Sequence, residues 1–421
     1  MPPSSPPGPA TAFSPRRGDD VVVRPLGPED HERQWRLHAL SFGEDLSSPP
    51  AAGSEPPGAV RYGALRGADA DGRGGELLGA VTLLPQEQWW GGRRLVAADV
   101  TDVAVQPEAR GAGVATRLLR ALLEGGRERG AAVSALYPTV SGLYRRAGWE
   151  VTGTLTTVEV PTHALERGGP APGLLVRAGG PEDLPAVAAL YEREARARSG
   201  MLVRPAPPEG RLPEGVDGLT LVEDAGRLVA AASWARGRGY GREAVFTVRD
   251  VVADTPAAAR TLLGVLAGWA PVARNLHLRL LRADAVAAAL PVELARVCDR
   301  KVVMHRVVDL ERAMAERGWP AAVHGAVVVE IEDALAPWNS GTWELAVEGG
   351  TGRATRTGAP AVARLTPGGL AALYAGAVTP LGAVRTSGVQ VLGDDPAAQD
   401  AALAALDVLA CGDLVEVLDY F

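Results

Sequence analysis

The run from Asp102 to Leu119 holds the residues best suited to chemistry, because it reads as a strand entering a glycine-rich turn and then a helix. Val103 and Val105 alternate as a strand requires, Pro107 ends the ladder, and Leu118, Leu119, Leu122 and Leu123 recur at helical spacing. Gly111 and Gly113 carry no Cβ, so the backbone there can approach a ligand closely while the unpaired N–H groups of the first helical turn point at it. A diphosphate suits that end. No Gly-x-Gly-x-x-Gly occurs and no Gly-Lys-Ser/Thr follows, so neither the dinucleotide fingerprint nor the P-loop is met. Taken alone, the same residues also suit a plain tight turn between strand and helix.

The segment beyond the helix narrows the chemistry. Spelled from Arg110, the turn is Arg-x-x-Gly-x-Ala, which resembles the acetyl-CoA signature (Gln/Arg-x-x-Gly-x-Gly/Ala) of the GNAT N-acetyltransferases. An alternating strand, Ala131 to Tyr137, leads into Ser141 to Trp149, where Tyr144, Gly148 and Trp149 are similar to the family's second signature, Tyr-x-x-x-Gly-aromatic. The resemblance implies that Val103, Ala104 and Val105 pair with the pantetheine arm of acetyl-CoA as an added strand. It implies that main-chain amides of Gly111, Ala112, Gly113, Val114, Ala115 and Thr116 hold the diphosphate, with Arg110 fixing the turn and Thr139 and Val140 bordering the sulfur. Tyr144 would then protonate the departing thiolate. A phenol of unperturbed pKa ~10 and a thiol of ~8.5 exchange a proton near balance, and the donor stays protonated at neutral pH. Neither Cys298 nor Cys411 falls near these motifs, which disfavours a cysteine acyl-enzyme.

The last residues add a third clue. Leu414 to Leu418 is an apolar strand-like run followed by Asp419, Tyr420 and Phe421, unlike a frayed tail, and it predicts a docked terminus. With this, the whole chain resembles the Eis family of multi-acetylating aminoglycoside N-acetyltransferases, which place a C-terminal α-carboxylate in the active site. By position that group is the carboxylate of Phe421. At an unperturbed pKa near ~3.5 it is a weak base, suited to orienting the amine and accepting its proton directly or through water. The resemblance also implies that Glu44, shortly after the first helix, helps bind the acceptor amines, although a solvated loop acid suits that position as well. Asp102, just before the valine strand, stands where family members often carry an aromatic or small residue lining the acceptor pocket; a carboxylate there can draw in a second ammonium group or simply face water. Family members often carry an acid directly before the terminal Phe; here Tyr420 stands there, and the nearest acid is Asp419.

Positioning these groups requires several domains, since 421 residues exceed one core. The expected class is α/β (α+β): a flexible Pro-rich tail over 1–20, a catalytic GNAT domain over 21–165, a degenerate GNAT-like domain over 174–306 and a sterol carrier protein-like domain over 307–421. In the first segment, helix is expected from Asp30 to Phe42, strands from Ala59 to Leu65, Glu76 to Leu84 and Leu95 to Val105, and a hairpin turn from Gly67 to Gly75. The second segment echoes this order with helices from Pro181 to Ala197 and Pro256 to Gly268. Its turn, Ala253 to Ala257, has no glycine pair and carries Asp254, which would repel phosphate. Strands are expected at Val327 to Ile331, Gly341 to Val347 and Ala361 to Leu365. A helix follows from Pro367 to Gly376, whose Leu370 to Gly376 portion resembles the sterol carrier protein-like domain of the same family.

The net charge of −7 disfavours a nucleic-acid partner and suits a cationic small-molecule acceptor. No apolar run reaches membrane-spanning length, the Pro-rich start has no signal-peptide pattern, and no residues have metal-ligand spacing. Two distant cysteines fit a cytoplasmic protein with both thiols buried. Trp89 and Trp90 read as a core and a surface neighbour, and His31 and His38 as packing or solvent residues. The expected function is acetyl transfer from acetyl-CoA to primary amines of polycationic acceptors, in a homo-oligomer that family resemblance makes a hexamer. Protein lysines, polyamines or peptide natural products are alternative acceptors, and a non-catalytic apolar-ligand carrier is the alternative outside enzymes.

Overall fold

The computed structural model describes residues 21–47, 56–68, 74–282, 284–412 and 414–421, excluding the side chains of 241–243. The Pro-rich start and the middle of the Gly67 to Gly75 turn lie outside the described residues. The chain divides into two compact units, one of Met1–Glu55, Val60–Thr82 and Asp102–Ala121, the other of Pro56–Ala59, Leu83–Thr101 and Leu122–Phe421.

The elements follow one order twice. The first pass is β1 (Val21–Pro25), α1 (His31–Phe42), β2 (Val60–Arg66), β3 (Glu76–Trp90), β4 (Arg93–Val105), α2 (Val114–Glu128), β5 (Val133–Leu136), α3 (Ser141–Arg146) and β6 (Glu150–Pro161). The second is β7 (Leu174–Gly179), α4 (Leu184–Arg196), β8 (Gly218–Asp224), β9 (Arg227–Arg236), β10 (Gly241–Ala253), α5 (Pro256–Leu266), β11 (Ala273–Leu280), α6 (Ala285–Ala289) and β12 (Arg296–Val307). A local device repeats with them. Before α1, Asp30 accepts hydrogen bonds from the Gly27 amide (3.0 Å) and Arg24 Nη1 (2.6 Å); before α4, Asp183 accepts from the Gly180 amide (2.9 Å) and Arg177 Nη2 (2.6 Å). Burial opposes the charge on Asp30, but hydrogen bonds from Arg24 and Arg33 outweigh it and bring the pKa down to about 2. The repeated Arg-x-x-Gly-Pro-Glu-Asp is visible at Arg24 to Asp30 and Arg177 to Asp183, a signal that helix periodicity alone passes over.

In the smaller unit, β1 pairs antiparallel with β2, and Leu37, Leu65, Leu77, Ala80 and Ala104 form the core beneath α1. Gly79 is required there. A Cβ on it would lie 2.9 Å from the Ala104 carbonyl and 3.0 Å from Val114, so glycine is what lets the start of α2 close onto the strands.

The larger unit is organised by an exchange. Its strands run β5-β12-β6-β11-β10-β9-β8-β7, so each repeat's last strand sits inside the other repeat's sheet. β12 pairs antiparallel with β5 (Met304 with Leu136 through Val307 with Val133), and β6 pairs antiparallel with β11 (Thr156 with Leu280 through Pro161 with Asn275). The exchanged strands also pair with each other from Arg296 and Glu159 to His305 and Glu150. In both repeats the fourth and fifth strands are parallel, but they differ in extent. β4 and β5 meet at Ala97 and Val133 alone, whereas β10 and β11 stay paired from Val245 and Asn275 to Val248 and Leu278.

The remaining chain is α7 (Leu310–Glu316), β13 (Gly325–Ile331), β14 (Gly341–Glu348), β15 (Thr351–Arg356), β16 (Ala363–Leu365), α8 (Pro367–Tyr374), α9 (Pro380–Arg385), β17 (Val389–Val391), α10 (Pro396–Ala410) and β18 (Val415–Glu416). Its sheet has the order β15-β14-β13-β16-β17. One core joins it to the exchanged sheet, with Leu155, Val303 and Val307 packed among Trp343, Leu373 and Leu406. Arg306 of β12 is buried and ion-paired to Asp333 at 2.6 Å, which ties this region to the exchanged strand.

Three expectations are corrected. The terminal ladder covers Val415–Glu416 and not Leu414 to Leu418, because β18 pairs with β6 only at Gly153 and Thr154. Cys298 is exposed and Cys411 half-buried, so the thiols are not both buried. Trp89 and Trp90 are both in the core: Trp90 points to the shared core, while Tyr191, Met201 and Leu418 cover Trp89.

Because β5 and β11 each depend on a strand from the other repeat, neither repeat can complete its sheet alone. Residues 21–167 and 168–421 expressed separately are expected to aggregate, and co-expressed they are expected to form a soluble complex. A soluble, folded 21–167 fragment by circular dichroism and size-exclusion chromatography would contradict the exchange.

Candidate active site

In the smaller unit, β4 ends at Val105 and the turn follows with Gly111 and Gly113 at φ +81° and +78°, a conformation that favours glycine. Among the described residues, nothing lies within 4 Å of where their Cβ atoms would be, so the glycines serve the backbone bend. Arg110 Nε donates to the Val105 carbonyl at 3.4 Å and closes the turn onto the strand end. The first bond of the helix runs from the Arg117 amide to the Gly113 carbonyl. Among the described residues, the amides of Gly111, Gly113, Val114, Ala115 and Thr116 take no partner, and Gly111, Ala112, Gly113 and Thr116 are exposed. Leu118, Leu119, Leu122 and Leu123 anchor α2 by full burial. Unpaired amides at the positive end of a 15-residue helix suit an anion such as a diphosphate.

Glu44 and Asp102, expected as acceptor carboxylates, are brought together by a histidine that sequence reasoning left outside the site. His38 on α1 sits between them, with Nε2 3.0 Å from Asp102 Oδ1 and Nδ1 3.3 Å from Glu44 Oε2. Its ring also packs on Phe42 with centroids 4.7 Å apart. The hydrogen bond to Asp102 raises the His38 pKa above its usual value of 6.5 against the opposing effect of burial, and the charges of Asp102 and Glu44 add to the rise. Asp102 is held in place by a hydrogen bond from Thr82 Oγ1 at 3.2 Å and has φ +56°, a left-handed conformation unusual for a residue with a side chain. The one sequence signal was spacing: His38 lies on the helix that ends just before Glu44.

In the larger unit, Tyr144 lies on α3, which Val140 starts and the buried Trp149 follows. Tyr144 is 5% exposed, and burial pushes its hydroxyl up to about 12, so it is protonated at neutral pH. Its hydroxyl makes no hydrogen bond among the described residues and is available to a ligand. Thr139 and Val140 are exposed at the start of the same helix. Asp99 lies where β4 and β5 stop pairing. Its carboxylate accepts the Ala135 amide at 2.7 Å in place of a strand carbonyl and is held by Gln88 Nε2 at 3.0 Å; burial lifts its pKa to about 7.

The terminal segment is docked through the second repeat. β18 lies parallel to β6 on the stretch that β11 leaves uncovered, and a Cβ on Gly153 would come within 2.4 Å of the Val415 carbonyl. Arg279 Nη1 donates to the Leu418 carbonyl at 2.9 Å. Asp419 accepts from Tyr191 Oη and from Arg204 Nε, both at 2.9 Å, and Arg204 also pairs with Asp250 at 2.7 Å. Tyr137 Oη donates to the Asp419 carbonyl at 2.5 Å, and its ring packs on those of Tyr420 (4.7 Å) and Phe421 (5.2 Å). Tyr420 faces outward beneath Lys301 Nζ, while Phe421 is half-buried against the shared core. Sequence reasoning found the docking but not Tyr137, Tyr191 or Arg204, which lie far from Phe421 in the chain. The second repeat's own turn holds Asp254 paired with Arg193 (3.0 Å) and Arg227 (2.6 Å).

Residues 22–152 match the family model described as an acetyltransferase (GNAT) domain, and residues 310–413 match that of a sterol carrier protein domain. An uncharacterised N-acetyltransferase of Streptomyces coelicolor is 30% identical over 342 residues, 76% of this chain and 79% of its own length. A GCN5-related N-acetyltransferase structure from Kribbella flavida is similar at TM-score 0.76 and 29% identity, covering 96% of this chain and 98% of that one. The structure of Eis1 from Mycobacterium abscessus is alike in fold, at TM-score 0.71 and 22% identity over 95% of this chain and 100% of that one.

Removing Arg204 would leave the Asp419 carboxylate without its cation, a loss of about 3 kcal/mol at the lower end for buried pairs, since Arg204 keeps 27% of its side chain exposed. Release of the tail relieves this more cheaply than unfolding. Arg204→Ala is therefore expected to speed hydrogen exchange of the Val415 to Leu418 amides more than that of the rest of the larger unit, and to lower Tm because Asp250 on β10 loses the same partner; unchanged exchange in the tail would show that the clamp does not hold it.

Proposed function

We propose that this chain, which belongs to the GNAT N-acetyltransferases, takes its acetyl group from acetyl-CoA and has the Eis-like order of acetyltransferase modules before a sterol carrier protein domain, transfers that group directly to primary amines of polycationic acceptors such as aminoglycosides. The observation that carries this reading is the set of unpaired amides at Gly111 and from Gly113 to Thr116 on an exposed, glycine-bent turn. It suits the diphosphate of CoA. Val103, Ala104 and Val105 extend past the single pair that joins β4 to β5, which leaves the strand edge to the pantetheine arm. Ala112 contributes to the same turn, Arg110 braces it, and Thr139 and Val140 border the thioester.

In the proposed reaction the amine nitrogen attacks the thioester carbonyl, the N–C bond forms and the C–S bond breaks. Tyr144 gives its proton to the sulfur as it leaves. Burial that disfavours a phenolate also disfavours a thiolate beside it, so this transfer stays near balance although the Tyr144 pKa is about 12. The Phe421 carboxylate accepts the proton lost by the amine, directly or through water, and Glu44 and Asp102 hold further ammonium groups of the acceptor. The docking of the tail through Asp419 supports the part given to Phe421.

The second repeat supports no second donor site: β10 and β11 stay paired where β4 and β5 part, and Asp254 stands at its turn. For the alternative of an apolar-ligand carrier, a cavity of about 750 Å³ beside α8 has a mixed lining, with Val151, Leu335, Val378 and Ala383 beside Arg145 and Glu332, and does not by itself favour an apolar ligand.

Thiol release from acetyl-CoA, measured with aminoglycosides, polyamines and lysine peptides, tests the reading and names the acceptor class. Tyr144→Phe is expected to lower kcat by about 10²-fold or more with little effect on the acetyl-CoA KM. Gly113→Val, which forces a β-branched residue to positive φ, is expected to raise that KM by about tenfold. Two residues added after Phe421 are expected to abolish turnover. Turnover that survives the extension removes Phe421 from the reaction, and no turnover with any amine removes the acetyl-transfer proposal for these acceptors.

A further inference from the structure

We infer that His38 is an internal counter-cation of the acceptor site, protonated when no acceptor is bound and giving up its proton to solvent when an acceptor ammonium takes its place between Glu44 and Asp102. This rests on the proposal that those two carboxylates receive the acceptor.

Hydrogen-bond inventory decides which form of the ring fits. A neutral imidazole has one donor nitrogen and one lone pair, whereas an imidazolium donates from both nitrogens. His38 has a carboxylate oxygen at each nitrogen, Asp102 Oδ1 at 3.0 Å from Nε2 and Glu44 Oε2 at 3.3 Å from Nδ1. Only the protonated ring satisfies both. A neutral ring would turn its lone pair towards one of two anions. Among the described residues, the charged groups facing His38 are Asp102 from β4 and Glu44 from the turn after α1. Phe42 on its own helix and Thr82, which reaches Asp102 from β3, are uncharged. The raised pKa of His38 agrees with the geometry.

An acceptor ammonium competes with this imidazolium for the same oxygens. Loss of the His38 proton makes the cluster more negative by one charge. A primary ammonium is therefore bound more strongly once His38 has lost its proton. Glu44, 53% exposed, is the open side of the cluster, while Asp102 is fixed by Thr82 and its backbone. Binding thus releases a proton, and by linkage a bound acceptor lowers the His38 pKa. As pH falls through the raised pKa of His38, acceptor affinity falls, approaching about tenfold per pH unit.

The probe is 1,5-diaminopentane, whose amines, with pKa values near ~10.4 like that of lysine, stay charged near neutrality. Calorimetry of the full-length protein with CoA present, in two buffers of different ionisation enthalpy, is expected to show proton release on diamine binding that rises towards one proton as the pH is lowered through the raised pKa of His38 and vanishes as the pH is raised above it. His38→Gln is expected to release none at any pH in that series. In wild-type protein the pH effect is expected in the acceptor KM, with kcat unaffected by the same ionisation. The His38 ring, followed by NMR in the wild-type protein, is expected to titrate at lower pH with diamine bound, which tests the inference without a variant. Thiol release with no proton release on binding overturns the role of His38 and leaves the proposed function standing. Proton release on binding with no acetyl transfer to any amine does the reverse. No binding of the diamine by calorimetry or NMR overturns the inference.

Discussion

Everything in the larger unit depends on the antiparallel contact between β6 and β12, two strands that each complete the other repeat's sheet. Apart from that pairing, each of these strands does a second task. β6 offers Gly153, where the absence of a side chain lets the terminal segment lie alongside it. β12 carries Arg306, whose buried pairing with Asp333 fixes the C-terminal region. A buried ion pair adds little net stability, but losing one partner strands a charge in the core, so the pair opposes any other registration of the two parts. Tail docking and the attachment of the C-terminal region are thus set by the same two strands.

The two repeats share an order of elements and a helix-start device, yet only one retains the features that suit an anionic donor. The difference lies in strand pairing as much as in the turn. In the first repeat, Asp99 takes the Ala135 amide and so ends the ladder between parallel strands. In the second, the ladder continues and the corresponding turn is occupied by Asp254 with its two arginines. The second repeat has a different use, because Tyr191, Arg204 and Arg279 from it hold the terminal segment.

Much of the fold was legible from local pattern. The period of Leu118, Leu119, Leu122 and Leu123 marked α2, the valine alternation marked the end of β4, and the glycines at 111 and 113 marked the bend between them. The family resemblance carried by Arg110 to Ala115 and Tyr144 to Trp149 was sound, and so was the expectation of a mixed α/β fold followed by a sterol carrier protein domain. Relations between distant segments were not legible. Strand exchange leaves the strand pattern of β6 and β12 unchanged, because periodicity shows which face is buried and not which neighbour buries it. The same limit hid His38, whose part depends on Asp102 being turned towards it by a left-handed backbone, and hid the second face of Trp89, which the second repeat covers. The thiol of Cys298 was expected in a core for want of any other task, whereas the start of β12 that carries it is exposed.

The exchange also sets an order of events during synthesis. When β5 leaves the ribosome its partner β12 has not been made, and β6 likewise waits for β11. At ordinary elongation rates the interval before Val307 emerges is on the order of ten seconds. Over that time the first repeat exposes an unfilled sheet edge of the kind that invites pairing with another nascent chain. The finished enzyme has no such edge at β5, so the hazard belongs to the growing polypeptide alone, and chaperone demand is expected to peak between the emergence of the two exchanged strands.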